Sequence, residues 1–94
     1  MRAFDLDVLG RVGNDYEAVN TIHGDLERDL GRSVSVEELS SALVNLVGLG
    51  LVDAFSYDAA TGNYRKISIS SQSPSELWFY ISKVGRAEYE RLVA

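Results

Sequence analysis

Cysteine is absent from this 94-residue sequence, and histidine, proline and tryptophan each occur only once. Without cysteine there is no disulfide framework and no thiolate ligand for a metal ion. We therefore expect a domain that folds without a metal or any other cofactor. The absence of cysteine also fits a reducing compartment, so we expect the protein to be cytoplasmic.

Catalytic groups are scarce as well. The only histidine, His23, falls within a predicted helix, so a Ser-His-Asp arrangement would have to be built around a helical side chain. The carboxylate pairs Asp5/Asp7 and Asp25/Asp29 also lie in predicted helices, where their spacing favours solvated positions over a catalytic dyad. Asp5 and Asp7 are both expected to face solvent. No glycine-rich phosphate-binding pattern is present. These absences argue against an enzyme.

Long apolar runs and an excess of positive charge are missing too. No apolar stretch approaches the roughly 18 residues of a membrane helix, and the N-terminal segment carries two acids, unlike a signal peptide. We therefore expect no membrane association. The net charge is −5, and residues 1–60 hold 4 basic and 11 acidic side chains against 5 and 3 in residues 61–94. Since DNA-binding domains usually carry a basic footprint, only the C-terminal third has the charge typical of that role.

The sequence does contain enough apolar material for one core. With 46% hydrophobic and 24% charged side chains, the chain is predicted to form a single domain over residues 1–94. Its most informative stretch is 33–55, where Ser35 is predicted to cap a helix and Glu38 to complete a Ser-x-x-Glu capping box. This third helix leads through Gly48 and Gly50 into a strand. Its predicted buried stripe is Leu39, Ala42, Leu43, Leu46 and Val47.

Two helices are predicted before this segment. The first covers about residues 3–12. The second begins with Asn14 as its N-cap and Glu17 as the residue that bonds back to it, and ends at Gly31. Gly24 lies in the middle of this helix, where glycine is unfavourable. We interpret it as a point of close approach to a neighbouring helix.

Three strands and a final helix complete the chain. The strands are predicted at 51–57, 64–69 and 77–82, with a turn at 58–63 between the first two. The order of elements predicts an α+β winged helix: a three-helix bundle, a small antiparallel β-sheet with a wing, and a short C-terminal helix. That last helix, about 83–93, is predicted to be capped by Ser82 and to bury Val84, Ala87 and Leu92.

Two blocks of the sequence also carry a family pattern. The first covers residues 16–54, with Tyr16-Glu17 near its start, Val34-Ser35 before the third helix, and then Leu43, Leu46, Gly50, Leu51 and Val52. The second covers residues 77–92 and includes Tyr80-Ile81-Ser82-Lys83-Val84-Gly85-Arg86, similar to a strand-to-helix segment that ends in Thr-x-x-Gly-Arg. Together they resemble winged-helix regulators of the PadR-like and MarR-like families. The resemblance implies binding to double-stranded DNA and a homodimer.

The third helix offers base-reading side chains without cations. Ser40, Ser41 and Asn45 lie on the face opposite its apolar stripe, and their hydroxyl and amide groups can bond to base edges. Cations to hold phosphates come from Arg32 before the helix and from Arg65 and Lys66 after the turn of the wing. These six residues are the predicted DNA contacts. The alternative is a solvated helix face with scattered solubilising charges.

The strands carry aromatic side chains that suit a protein interface. Alternation separates Leu77, Phe79 and Ile81 from Trp78 and Tyr80, so that one set faces the helices and the other lies on the open face of the sheet. The interface candidates are Tyr57, Tyr64, Trp78 and Tyr80; the alternative is a satellite core. The sequence thus favours a DNA-binding transcription regulator of unknown target. The alternative is a winged helix that binds another protein or a second copy of itself without binding DNA.

Overall fold

The computed structural model describes residues 2–68 and 74–93, and its elements follow the predicted order except for an additional short strand between the first two helices and a short 3-10 helix before the last strand. Within these residues the chain forms four α-helices and one four-stranded antiparallel sheet, which confirms the α+β prediction. The elements are α1 Ala3–Arg11, β1 Glu17–Ala18, α2 Val19–Leu30, α3 Val36–Gly48, β2 Val52–Asp58, β3 Asn63–Ile67, a short 3-10 helix Pro74–Glu76, β4 Trp78–Ile81 and α4 Lys83–Val93. The predicted end of the second wing strand, Ile69, lies outside the described residues.

The helix α3 begins after Ser35 as predicted, but only the Ser35 half of the predicted capping box is present. Ser35 has extended backbone angles, and its hydroxyl accepts a hydrogen bond from the Glu38 amide at 3.0 Å. The carboxylate of Glu38 lies 3.4 Å from the Arg32 guanidinium. Past the end of α3, Gly50 takes a left-handed conformation with φ of 76°, and the chain turns into β2. Of the predicted stripe, Val47 is partly buried and packs against the core. The other four residues are buried: Leu39, Ala42, Leu43 and Leu46.

The start of α2 differs from the prediction. Asn14 is not its cap, because the helix begins only at Val19. Glu17 and Ala18 instead form β1, which pairs with β4 in an antiparallel register that places Glu17 opposite Phe79. This pairing satisfies backbone groups at the edge of β4. Gly31 ends α2, as predicted, and has a left-handed conformation.

Gly24 does not mark a close approach between helices. A methyl group built on it would meet no atom within 4 Å, and the residue is exposed. The expected packing contact is therefore wrong, and nothing in the structure explains a glycine at this position.

The sheet has the strand order β1–β4–β2–β3, and its two faces have different environments. On the face toward the helices, Val52, Ala54 and Phe79 are almost fully buried. Successive residues point to opposite sides of a strand, so Phe55 and Trp78 lie on the other side, which we call the outer face. Strands β2 and β3 form the wing. Its turn is closed by a hydrogen bond of 2.7 Å from the Gly62 amide to the Asp58 carbonyl.

The junction between β4 and α4 is tightly bonded. The Ser82 hydroxyl caps α4 by accepting from the Gly85 amide at 2.9 Å, as predicted, and it donates to the Gly50 carbonyl at 2.6 Å. The predicted inner face of α4 is wrong, because Val84, Ala87 and Leu92 are all exposed. Gly85 and the half-buried Tyr89 face the core instead.

The described residues contain neither a membrane-spanning helix nor a clustered set of metal ligands. In the stretches 2–68 and 74–93, no helix is long and apolar enough to cross a membrane. The same residues contain no group of three or more His, Asp or Glu side chains that is arranged to hold a metal ion.

Candidate nucleic-acid interface

The outward side of α3 is polar but contains no cation of its own. Ser41, Val44 and Asn45 are exposed, and Ser40 is half-buried. At about 100° per residue, Glu38, Ser41 and Asn45 form one flank of the helix, which we call the polar stripe. Ser40 lies on the opposite flank. The three predicted base-reading residues of α3 therefore do not share one surface.

The first turn of α1 lies beside the polar stripe. The Asn45 amide donates to Asp5 at 3.3 Å, and the guanidinium of Arg32 lies 5.6 Å from the centre of the Phe4 ring. Arg32 also pairs with Glu38 at the other end of the stripe. The expectation that Asp5 faces solvent is wrong: this side chain is 1% exposed, whereas Asp7 is exposed.

This arrangement places two cations at the ends of the polar stripe. Arg32 lies at the end near Glu38, and Arg2 reaches the end near Asn45 because its guanidinium pairs with Asp5 at 3.2 Å. The sequence prediction missed Arg2. The spacing of Arg2 and Asp5 was a local signal for their pairing, but no local pattern connects Asp5 with Asn45, which lies on another helix.

The two predicted DNA contacts of the wing, Arg65 and Lys66, lie on opposite faces of the sheet. Arg65 lies opposite Ser56 in the register of the hairpin, and Lys66 lies opposite Phe55. The two cations therefore point to opposite faces of the sheet. Lys66 is on the outer face and pairs with Asp53 at 3.3 Å. Arg65 is exposed on the face toward the helices.

Most of the positive charge is already neutralised inside the chain. Six of the nine Lys and Arg side chains have a carboxylate partner within the described residues. Arg86 donates to the Gly13 carbonyl at 2.6 Å. In this part of the chain Arg65 and Lys83 have no ion pair. Of the three predicted phosphate contacts, Arg65 is thus the one whose charge is uncompensated, while Arg32 and Lys66 must exchange a carboxylate for a phosphate.

The outer face of the sheet gathers all four interface candidates. Tyr57, Tyr64 and Trp78 are in mutual ring contact, with centroids 5.1 to 6.4 Å apart. Tyr16, from the segment before β1, stacks on Tyr64 with centroids 4.0 Å apart and meets Tyr80 edge to face at 5.2 Å. Prediction from the strands alone missed Tyr16. The rings partly bury one another, and Tyr57 remains 48% exposed.

Comparison with known proteins identifies the fold. No protein-family model matches the chain, and no curated protein matches it either. Among solved structures, it is similar to the crystal structure of Bacillus subtilis PadR in complex with operator DNA, with a TM-score of 0.68 and 15% sequence identity. The alignment covers 98% of this chain and 48% of the PadR chain, so this chain spans about half the length of that protein. This structural similarity shows that the described residues adopt the winged-helix fold.

Proposed function

We propose that this winged helix binds double-stranded DNA as a transcription regulator, with α3 and the wing facing the duplex. Support comes from its similarity to PadR, which was solved with operator DNA. Since one fold can host many activities, DNA binding depends on the chain's own side chains.

The observation that carries the proposal is the placement of cations around α3. The helix has no Lys or Arg, but Arg2 and Arg32 lie at the two ends of its polar stripe. Arg65 adds an exposed cation on the wing that has no ion pair among the described residues. Phosphate contacts of this kind position a protein on DNA, while hydroxyl and amide groups between them contact the bases.

The internal ion pairs and the net charge of −5 both oppose binding. We therefore expect one domain to bind weakly, near the range of about 10⁻⁴ to 10⁻⁶ M that is typical of non-specific binding at physiological salt, and more tightly at low salt. A homodimer would double the number of phosphate contacts. We propose that the functional unit is such a dimer.

Fluorescence anisotropy with a labelled mixed-sequence duplex at about 50 mM salt tests the proposal, because low salt favours phosphate contacts. The key variant is Arg65→Gln, which should weaken binding and lower the slope of log affinity against log salt by about 0.9. The matched control is Arg28→Gln, which removes one exposed charge of α2 that pairs with Asp25. Absence of saturable binding at tens of micromolar protein would refute the proposal. Equal effects of the two variants on DNA affinity and salt slope would mean that Arg65 of the wing does not contact the DNA.

A second candidate function is self-association through the outer face of the sheet without DNA binding. The observation in its favour is Tyr57, which is 48% exposed although its ring contacts those of Tyr64 and Trp78. Paired aromatic side chains of this kind are common at protein interfaces. Sedimentation equilibrium at micromolar concentration tests it: a dimer that Tyr57→Ala converts to monomer, together with no binding of the labelled duplex, would support this function, and a monomer of 10.3 kDa would exclude it.

A further inference from the structure

Asp5 is the only charged or polar side chain that is buried among the described residues, at 1% exposure. Its Oδ2 accepts hydrogen bonds from the backbone amide of Arg2 and from Nδ2 of Asn45, both at 3.3 Å. Its Oδ1 accepts from Nη2 of Arg2 at 3.2 Å. A buried carboxylate is very unfavourable unless it is paired and hydrogen-bonded. The burial of Asp5 therefore depends on these donors.

The contact also fixes the orientation of the Asn45 side chain. An ionised carboxylate only accepts hydrogen bonds, so the Asn45 atom that faces Asp5 must be its amide nitrogen. One Nδ2 hydrogen is used in this way. The exposed remainder of the amide is then Oδ1, an acceptor, together with the second Nδ2 hydrogen, a donor. Adenine presents a matching donor and acceptor, N6 and N7, in the major groove, whereas guanine presents two acceptors there.

The same carboxylate holds a cation next to that amide. The Arg2 side chain is 67% exposed although one of its nitrogens contacts Asp5. Its other N–H groups are available to an anion in solution. Asp5 thus brings together a base-reading group from α3 and a phosphate-holding group from the start of α1.

We propose that Asp5 is a positioning residue for DNA readout: it fixes the Asn45 amide so that α3 prefers adenine over guanine at one base pair. This inference rests on the proposed function. It goes beyond that function by assigning base preference to one side chain on α3 and the control of that preference to α1. A purely structural Asp5 would tie α1 to α3 without affecting which base is bound.

The test measures base preference, which a purely structural role leaves unchanged. Duplexes are selected with the full chain from a library with a randomised central segment, and affinities are measured for the best duplex and its single-base variants. Wild type should discriminate adenine from guanine at one position by about 5- to 150-fold, the range of a bidentate contact. Asn45→Ala and Asp5→Asn should both lose the discrimination of adenine from guanine at that position. Base preferences at the other positions of the site should remain unchanged. Arg2→Gln should lower the salt slope by about 0.9.

A further variant keeps the test decisive if Asp5→Asn does not fold, which circular dichroism would show. Asn45→Gln retains an amide that can also pair with adenine, but one more methylene moves it away from its place beside Asp5. It should lose most of the discrimination. Full discrimination by Asn45→Gln, or an unchanged base profile in Asn45→Ala, would overturn the inference while leaving DNA binding in place. Failure of wild type to bind any duplex would instead overturn the proposed function, and this inference with it.

Discussion

Gly85 lies where α4 passes over the carbonyl group of Leu51, so Gly85→Ala tests how tightly the last helix is held. The added methyl group would overlap the Leu51 carbonyl oxygen and lie 2.7 Å from its carbonyl carbon and 3.0 Å from Cγ1 of Ile81. The oxygen cannot move aside freely, because it accepts a hydrogen bond of 3.0 Å from the Ser82 amide. The helix α4 must therefore shift away from the sheet.

The size of the effect follows from three contributions. Overpacking of this kind costs about 1–3 kcal/mol, and a weakened Ser82 hydrogen bond adds about 1 kcal/mol. The better helix propensity of alanine offsets about 1 kcal/mol. We therefore expect Gly85→Ala to lower the free energy of unfolding by about 1–3 kcal/mol, which corresponds to a Tm lower by about 4–8 °C for each kcal/mol.

Gly24→Ala is the matched control, because Gly24 also lies inside a helix but has open space around it. Without a clash, alanine should raise stability by about 0.5–1 kcal/mol. Urea denaturation followed by far-UV circular dichroism measures both variants. If Gly85→Ala proves as stable as Gly24→Ala, the close approach of α4 to Leu51 is not a real constraint.

Three further predictions concern other parts of the fold. The Glu27 carboxylate accepts a hydrogen bond from the Val34 amide at 2.9 Å, and His23 contacts the Val34 carbonyl at 2.5 Å. Glu27→Ala should therefore loosen the turn before α3 and lower the free energy of unfolding, measured in urea, by about 1 kcal/mol. An unchanged free energy of unfolding would show that the turn is stable without Glu27. The pKa of Glu17 is raised by burial and by the nearby Asp25 and Asp15. Ionised Glu17 therefore destabilises the fold, and Glu17→Gln should raise the Tm at pH 7. This increase in Tm should disappear below about pH 4, where Glu17 is protonated in both the folded and the unfolded state. An equal increase in Tm at pH 7 and below pH 4 would contradict an effect of the Glu17 charge. Tyr16→Ala removes the ring stacked on Tyr64. It should change Trp78 fluorescence and lower the free energy of unfolding by at least about 1 kcal/mol, which is more than the loss expected for Tyr57→Ala. A larger loss for Tyr57→Ala would mean that Tyr16 does not support the cluster.

The sequence predicted the elements that local interactions determine. The cap at Ser35 and the apolar period of α3 act within a few residues, and both appear in the structure as expected. The start of α2 was not predictable in this way, because β1 exists only through its pairing with β4, near the other end of the chain. Residues 17 and 18 show a good local helix start that the sheet overrides.

The inner face of α4 was mispredicted for a different reason. Apolar periodicity placed Val84 and Leu92 inward, but the helix turns the side with the smallest residue, Gly85, toward the sheet. Hydrophobicity does not report how closely two backbones approach. The candidate interface was likewise only half predictable: the side chains of α3 were visible in the sequence, whereas Arg2 and Asp5 join them through a contact between distant segments.

The strand order has a consequence for edge-to-edge aggregation through the sheet. In the described sheet the edge strands are β1, which has only two residues, and β3. An exposed edge can recruit a strand from another molecule, and short length and charged side chains are two common protections against this. The edge strand β3 carries Arg65 and Lys66 in its middle. These cations should therefore also discourage edge-to-edge aggregation, and a variant that removes both should precipitate at concentrations where the wild type remains clear.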